Sequence, residues 1–280
     1  MSKLVADQAD GLRRLLARTP TRIVAVAGSA RGAGATTTAM NLGAALVQQG
    51  KDVLLLDEQE AGPDSACAIW NIDPFLSRAS RSACGVDVLP APPGGGGCAA
   101  DLRSLCPGGV ILIDAAFDAE GRLSLLAQAA DEVVLVLQPD PTAITTAYAC
   151  IKRLHYAHAL QQLRFIVNGA EGEASARQIT TNLANTGSRY LGVSLESAGW
   201  VRADPHLAGA TRLGQTVVEA FPASAAAVDF RLIAVGMGRW PWRAPAQPAA
   251  AVGTPPRRTS LSNLHSHYGR EIHGSPATAA

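Results

Sequence analysis

Short apolar runs recur along this chain without the polar alternation of a half-exposed strand: RIVAVAG (22–28), DVLLLD (52–57), VDVLP (86–90), GVILIDAAF (109–117), EVVLVLQPD (132–140) and LRFIVNGA (163–170). A strand covered on both faces needs such a run, and strands of that kind belong to parallel sheets sandwiched between helices. Stretches of helical period stand between them, over 36–49 (stopping at Gly50, a natural C-cap), 119–130, 142–158 and 175–186. Residues 194–204 add a weak final strand and loop, followed by a helical end around 208–233. The alternation predicts an α/β domain over 21–235, a mostly parallel sheet flanked by helices with right-handed crossovers.

Ligands of such sheets bind at the carboxyl ends of the strands. The stretch GSARGAGATTT (28–38) lies at one of these ends, between the first strand and the first helix, and Asp57, Asp114, Asp140 and Asn168 lie at others. A phosphate-binding loop offers backbone N–H groups, a lysine for the outer phosphates and a hydroxyl for Mg²⁺. Here Thr36 and Thr37 supply hydroxyls, and no lysine is present. The stretch reads either as a nucleotide site with altered chemistry or as a tight glycine turn without a ligand. Asp114 either supports Mg²⁺ through water or caps the following turn. For Asp57, a site role and a capping role stand level.

The formal net charge is +1, which argues against a purely electrostatic binder, so direct nucleic-acid contact is not expected. The cysteines form no C-x-x-C pair and have no histidine at ligand spacing, so they and the histidines read as structural or tail residues rather than metal ligands. With no apparent leader and no apolar run of spanning length, the expectation is a cytoplasmic, reduced-thiol protein, soluble or attached at a membrane surface. Residues 3–18 have helical period, with Leu4, Leu12, Leu15 and Leu16 on one side, and are closed by the Thr19–Pro20 break. Residues 236–280 are rich in Pro, Ala, Ser and Gly without periodicity, and read as a disordered tail.

The loop, VLLLD and VILIDAA stand in the order of a MinD/ParA-type deviant Walker ATPase, a P-loop NTPase of SIMIBI architecture. LQPDPTAITTAYACIKRL (137–154) resembles the T-P-E-P-T-x-I-T-D-A-Y-A-L-I-K segment of the flagellar-number regulators, the FlhG or FleN group. DQADGLRRLL (7–16) resembles that group's D-Q-A-x-x-L-R activator helix, and residues 191–227 resemble its C-terminal segment. The resemblance implies an antiactivator and placement regulator: an ATP-dependent homodimer with Mg²⁺, peripheral at the inner membrane or cell pole. Its expected partners are the SRP-type GTPase FlhF and either a flagellar transcription activator or switch-ring proteins. Nucleotide contacts fall on Arg31, Gly32, Ala33, Gly34, Ala35, Thr36, Thr37 and Asn168. Thr36 and Asp114 fall at the Mg²⁺ positions, and the activator residues correspond to Asp7, Gln8, Leu12 and Arg13. Asn168 precedes Gly169, so an ordinary turn competes with its adenine-contacting role.

The family loop K-G-G-V-G-K-T-T aligns on 30–37, placing Ala30 and Ala35 where it has lysines, and Asp57-Glu58-Gln59 replaces D-x-D, leaving Gln59 where the family has its water-orienting aspartate. Phosphoryl transfer depends on positioning and charge stabilisation, so hydrolysis is expected to be weak or absent while binding through loop amides persists. Arg31 is the candidate substitute charge. Two other functions compete: a nucleotide-independent pseudo-ATPase scaffold, and a MinD-like ATPase of another secretion or partitioning system. FRLIAVGMGRWPWR (230–243) reads equally as a membrane-interface segment or as the domain's last helix with its tryptophans packed on it.

Overall fold

The structure, a computed structural model, describes residues 20–59, 62–73, 78–91 and 102–241. The activator motif (Asp7, Gln8, Leu12, Arg13) and the segment from residue 242 onward lie outside the described residues.

The apolar runs form β1 (Arg22–Gly28), β2 (Val53–Asp57), β4 (Asp87–Pro90), β5 (Val110–Ala115), β6 (Glu132–Leu137) and β7 (Gln162–Ala170). Two further strands, β3 (Ser80–Arg81) and β8 (Ser194–Arg202), complete one eight-stranded sheet in the order β3-β4-β2-β5-β1-β6-β7-β8. Every pairing is parallel except that of β3 with β4, which is antiparallel. The central strands alternate between two cores: Ile23, Ala25 and Ala27 of β1 face one helical layer, and Val24 and Val26 face the other. This placement on both faces is why the runs lack polar alternation.

The helices are α1 (Ala35–Gln48), α2 (Ala66–Ile69), α3 (Leu102–Leu105), α4 (Leu125–Gln128), α5 (Pro141–His158), α6 (Glu173–Leu191), α7 (His206–Arg212), α8 (Val217–Ala220) and α9 (Ala225–Met237). The helix expected over 119–130 is cut to α4. Asp118 Oδ1 accepts from Glu120 N and Arg122 N at 3.0 and 2.7 Å, and Gly121 adopts φ 77, closing a turn where a helix would have begun. The weak strand at 194–204 is a nine-residue partner of β7, with two register shifts.

The last helix belongs to the core. Phe230, Ile233, Met237 and Trp240 are buried, while Val228, Leu232 and Val235 face outward. Arg22, at the start of β1, donates to Met237 O at 3.0 Å and Trp240 O at 2.8 Å, satisfying carbonyls at that helix's end. Among the described residues no helix is long and apolar enough to cross a membrane.

Candidate functional site

The glycine loop rises from the carboxyl end of β1. Ser29 N donates to Val136 O on β6 at 2.8 Å, holding the loop's base across the adjacent strand. Gly32 and Gly34 take φ values of 77 and 90, a region that disfavours side chains. Gly34 is the N-cap of α1 and offers no side-chain acceptor, and the helix has no acidic residue in its first turn. The first intrahelical bond runs from Thr38 N to Gly34 O at 2.9 Å. The N–H groups ahead of it have no helical partner, and together with the helix dipole they make this end attractive to an anion.

Beneath the loop lie three buried acids, Asp57, Glu58 and Asp114, exposed by 3%, 0% and 0%. Asp57 is opposite Asp114 in the β2–β5 register. Its carboxylate is occupied by local backbone: Oδ1 accepts from Gln59 N at 3.1 Å and Oδ2 from Cys67 N at 2.8 Å, so Asp57 ties the strand end to the start of α2. Glu58 accepts from Ser124 Oγ and from Ala116 N, and burial raises its carboxyl above the usual range against those bonds. Asp114 is pushed up to about 7, chiefly by burial and further by the Asp57 charge, while the Thr36 hydroxyl and the Gln59 amide act in the opposite direction. Gln59 Nε2 donates to Asp114 Oδ1 at 3.2 Å. Among the described residues Asp114 Oδ2 has no hydrogen-bond partner.

Two side chains reach the loop from neighbouring strand ends. Asn168 Nδ2 donates to Ala33 O at 3.0 Å, and Gln138 Nε2 donates to Gly32 O at 3.1 Å. Asp140 Oδ1 accepts from Ala143 N at 2.8 Å and is the N-cap of α5. The structure thus brings the loop residues Arg31 to Thr37, Asp57, Gln59, Asp114 and Asn168 to one end of the sheet. Glu58 and Gln138 were not singled out from sequence. Gln138 follows β6 directly, so the strand-end rule that selected Asp140 and Asn168 points to it as well.

A buried carboxylate oxygen without a partner, next to the Thr36 hydroxyl, suits a hard cation with oxygen ligands, so Thr36 and Asp114 fit Mg²⁺ held partly through water. The uncapped, half-buried amide end of α1 fits phosphate oxygens. Cationic compensation is sparse: Arg31 is the charged side chain of the loop, and it is exposed. Among the described residues no cluster of His, Cys, Asp and Glu is arranged to hold a metal by itself.

Comparison with known proteins assigns the family and the fold. The family model described as the CobQ/CobB/MinD/ParA nucleotide binding domain matches residues 24–206. Antiactivator FleN of Pseudomonas aeruginosa is 28% identical over 259 residues, covering 79% of this chain and 88% of its own length. Among solved structures, the MinD cell division protein of Aquifex aeolicus superposes with a TM-score of 0.62 at 18% identity, over 81% of this chain and 99% of that one. The septum site-determining protein MinD of Pyrococcus horikoshii, complexed with Mg-ADP, gives a TM-score of 0.56 at 20% identity, over 76% and 94%. At these identities the two structures speak for the fold alone.

Proposed function

The chain belongs to the CobQ/CobB/MinD/ParA nucleotide-binding family, and on that premise we propose that it is a MinD-like regulatory switch of the flagellar-number type, an antiactivator whose ATP site binds but hardly turns over. The observation that carries this reading is a pair of facts at one site. The amide end of α1 and the partnerless oxygen of Asp114 are laid out for phosphate and Mg²⁺. Alanines stand at positions 30 and 35, and an amide at 59. Binding rests on the amides. Turnover would need charge that these positions do not supply. Mg²⁺, when bound, would offset phosphate charge; Thr36 and Asp114 orient it, and α1 orients the phosphates.

In this reading ATP favours a homodimer. Output passes through protein surfaces to an SRP-type GTPase of the FlhF kind and to a flagellar transcription activator or switch-ring proteins, at the inner membrane or cell pole. Likeness to FleN supports the regulatory class. The test is titration of the full chain with a fluorescent ATP analogue in Mg²⁺, alongside a turnover assay. Saturable binding with turnover far below lysine-containing relatives is expected, and brisk Mg²⁺-dependent hydrolysis abolished by Thr36→Ala would overturn it.

A second reading, a nucleotide-independent scaffold, is favoured by the Gln59–Asp114 bond, which ties the segment after β2 to β5 through protein groups alone. Absence of binding in the same titration, with partner capture intact, would select it.

A further inference from the structure

We infer that Gln138 and Asn168 are positioning residues that clamp the glycine loop through two successive carbonyls, orienting it as a neutral anion cradle in place of a lysine. The inference deepens the nucleotide-binding reading and rests on it for the identity of the ligand.

The geometry is specific. Gln138 follows β6 and Asn168 lies in β7, yet their amides reach Gly32 O and Ala33 O at 3.1 and 3.0 Å. Because each acceptor is a carbonyl, each contacting atom has to be the side-chain NH₂, so the amide orientations are determined by the contacts. In a trans peptide the C=O and N–H point opposite ways. Drawing the Ala33 carbonyl toward Asn168 therefore aims the Gly34 N–H away from it. Drawing the Gly32 carbonyl toward Gln138 likewise aims the Ala33 N–H inward, where it closes a turn on Ala30 O at 3.2 Å. The two amides thereby set the planes of consecutive peptides just ahead of the uncapped end of α1: the Ala33 N–H is spent on the turn, and the Gly34 N–H, without a hydrogen-bond partner among the described residues, is the one aimed for an anion together with the first amides of α1.

The fit at Gly34 is close. A Cβ there would lie 2.3 Å from Asn168 Nδ2, so loop backbone and amide are packed with no room for a side chain. Ala30 and Ala35 provide no cation to draw phosphate in, which leaves the direction of N–H dipoles as the loop's main source of attraction. Dipoles preorganised in the free protein require no rearrangement when the ligand arrives. Arg31, exposed at the tip, adds charge without setting those planes.

Backbone amide exchange in the free full chain tests the clamp without any ligand. Losing a hydrogen bond of ordinary net strength should speed exchange at Ala33 and Thr38, the hydrogen-bonded amides at the two ends of the clamped stretch, by roughly fivefold in Gln138→Ala and more in the Gln138→Ala/Asn168→Asp double variant. Amides of β1 and β5 should keep their protection, showing that the fold is intact. Gln138 is exposed, so its alanine variant is not at risk of misfolding. In parallel, a fluorescent ATP analogue with Mg²⁺ should bind each variant several-fold more weakly than the parent. Unchanged loop exchange in the double variant would overturn the clamp. Faster exchange with unaltered affinity would also overturn it, since the loop would then be clamped without consequence for the ligand. If the parent chain does not bind the analogue at all, the nucleotide reading fails, and exchange still decides whether the two amides hold the loop.

Discussion

The side-chain amide of Gln59 donates to Asp114 Oδ1 at 3.2 Å, two residues beyond the end of β2 and on the adjacent strand. The same NH₂ group lies 3.4 Å from the carbonyl oxygens of Asp114 and Ala115. A neutral donor therefore faces an acid and two carbonyls at the position where the family pattern has an aspartate. The arrangement stabilises the carboxylate without adding charge. An aspartate there would present acceptors to acceptors.

Restoring the family residue by Gln59→Asp should therefore destabilise the free protein by about 1–3 kcal/mol, the range for leaving buried polar groups unsatisfied. The loss should be greater at pH 8 than at pH 5, where protonation restores a donor. Denaturant unfolding of both proteins at the two pH values measures it, and equal stability at pH 8 would contradict the prediction.

Burial pushes the Asp114 carboxyl up to about 7, from an ordinary carboxyl value of 3.8. A carboxyl raised on folding makes the native state bind more protons than the unfolded state between these values, so this group's contribution declines as pH rises from about 4 to 7 and stays low above. Asp114→Asn should remove that dependence. Its stability relative to the parent should be about 3 kcal/mol more favourable at pH 8 than at pH 5, since each pH unit between 5 and 7 is worth about 1.4 kcal/mol. A difference that does not vary with pH would show that Asp114 ionises normally in the fold.

Ala35→Lys should strengthen binding of an ATP analogue by roughly tenfold or more, as expected of one charge-assisted phosphate contact, while turnover rises much less because Ala30 and Gln59 remain. Titration and a phosphate-release assay on the same preparation separate the two effects. A restored rate without tighter binding would contradict this.

Arg164 is buried between Glu132 at 3.2 Å and Glu196 at 2.6 Å and stacks on Trp240 at 4.8 Å from the ring centroid. Arg164→Leu leaves the buried Glu132 without that partner and should cost about 3–5 kcal/mol, whereas Arg164→Leu/Glu132→Leu should recover most of it. Thermal unfolding of the two variants provides the comparison, and a double variant no better than the single would refute the charge argument.

Residues 7–13 lie outside the described residues and carry the resemblance to an activator helix in sequence alone. If the chain acts on an SRP-type GTPase as proposed, a synthetic peptide of residues 1–20 should stimulate GTP hydrolysis by that GTPase, and its Gln8→Ala form should not. Stimulation by both peptides alike would assign the effector surface elsewhere.

The sequence by itself determined the sheet and the loop. Runs such as RIVAVAG became β1 with the same ends, because burial on both faces depends only on local hydrophobicity and strand length. Gly32 and Gly34 were readable as a strand-to-helix loop for a similarly local reason: the backbone there takes φ values that glycine tolerates. Apolar period alone extends the helix over 119–130, and the turn at Asp118 and Gly121 decides against its first half. What each polar residue does was decided by tertiary structure. Asp57 turned out to accept from Gln59 N and Cys67 N, Asn168 to hold Ala33 O across 135 residues, and Trp240 to lie over Arg164. A hydrogen-bonding group is indifferent to sequence distance. Its role follows from which donor or acceptor the fold sets within about 3 Å of it, and that was settled only when the strands took their order in the sheet.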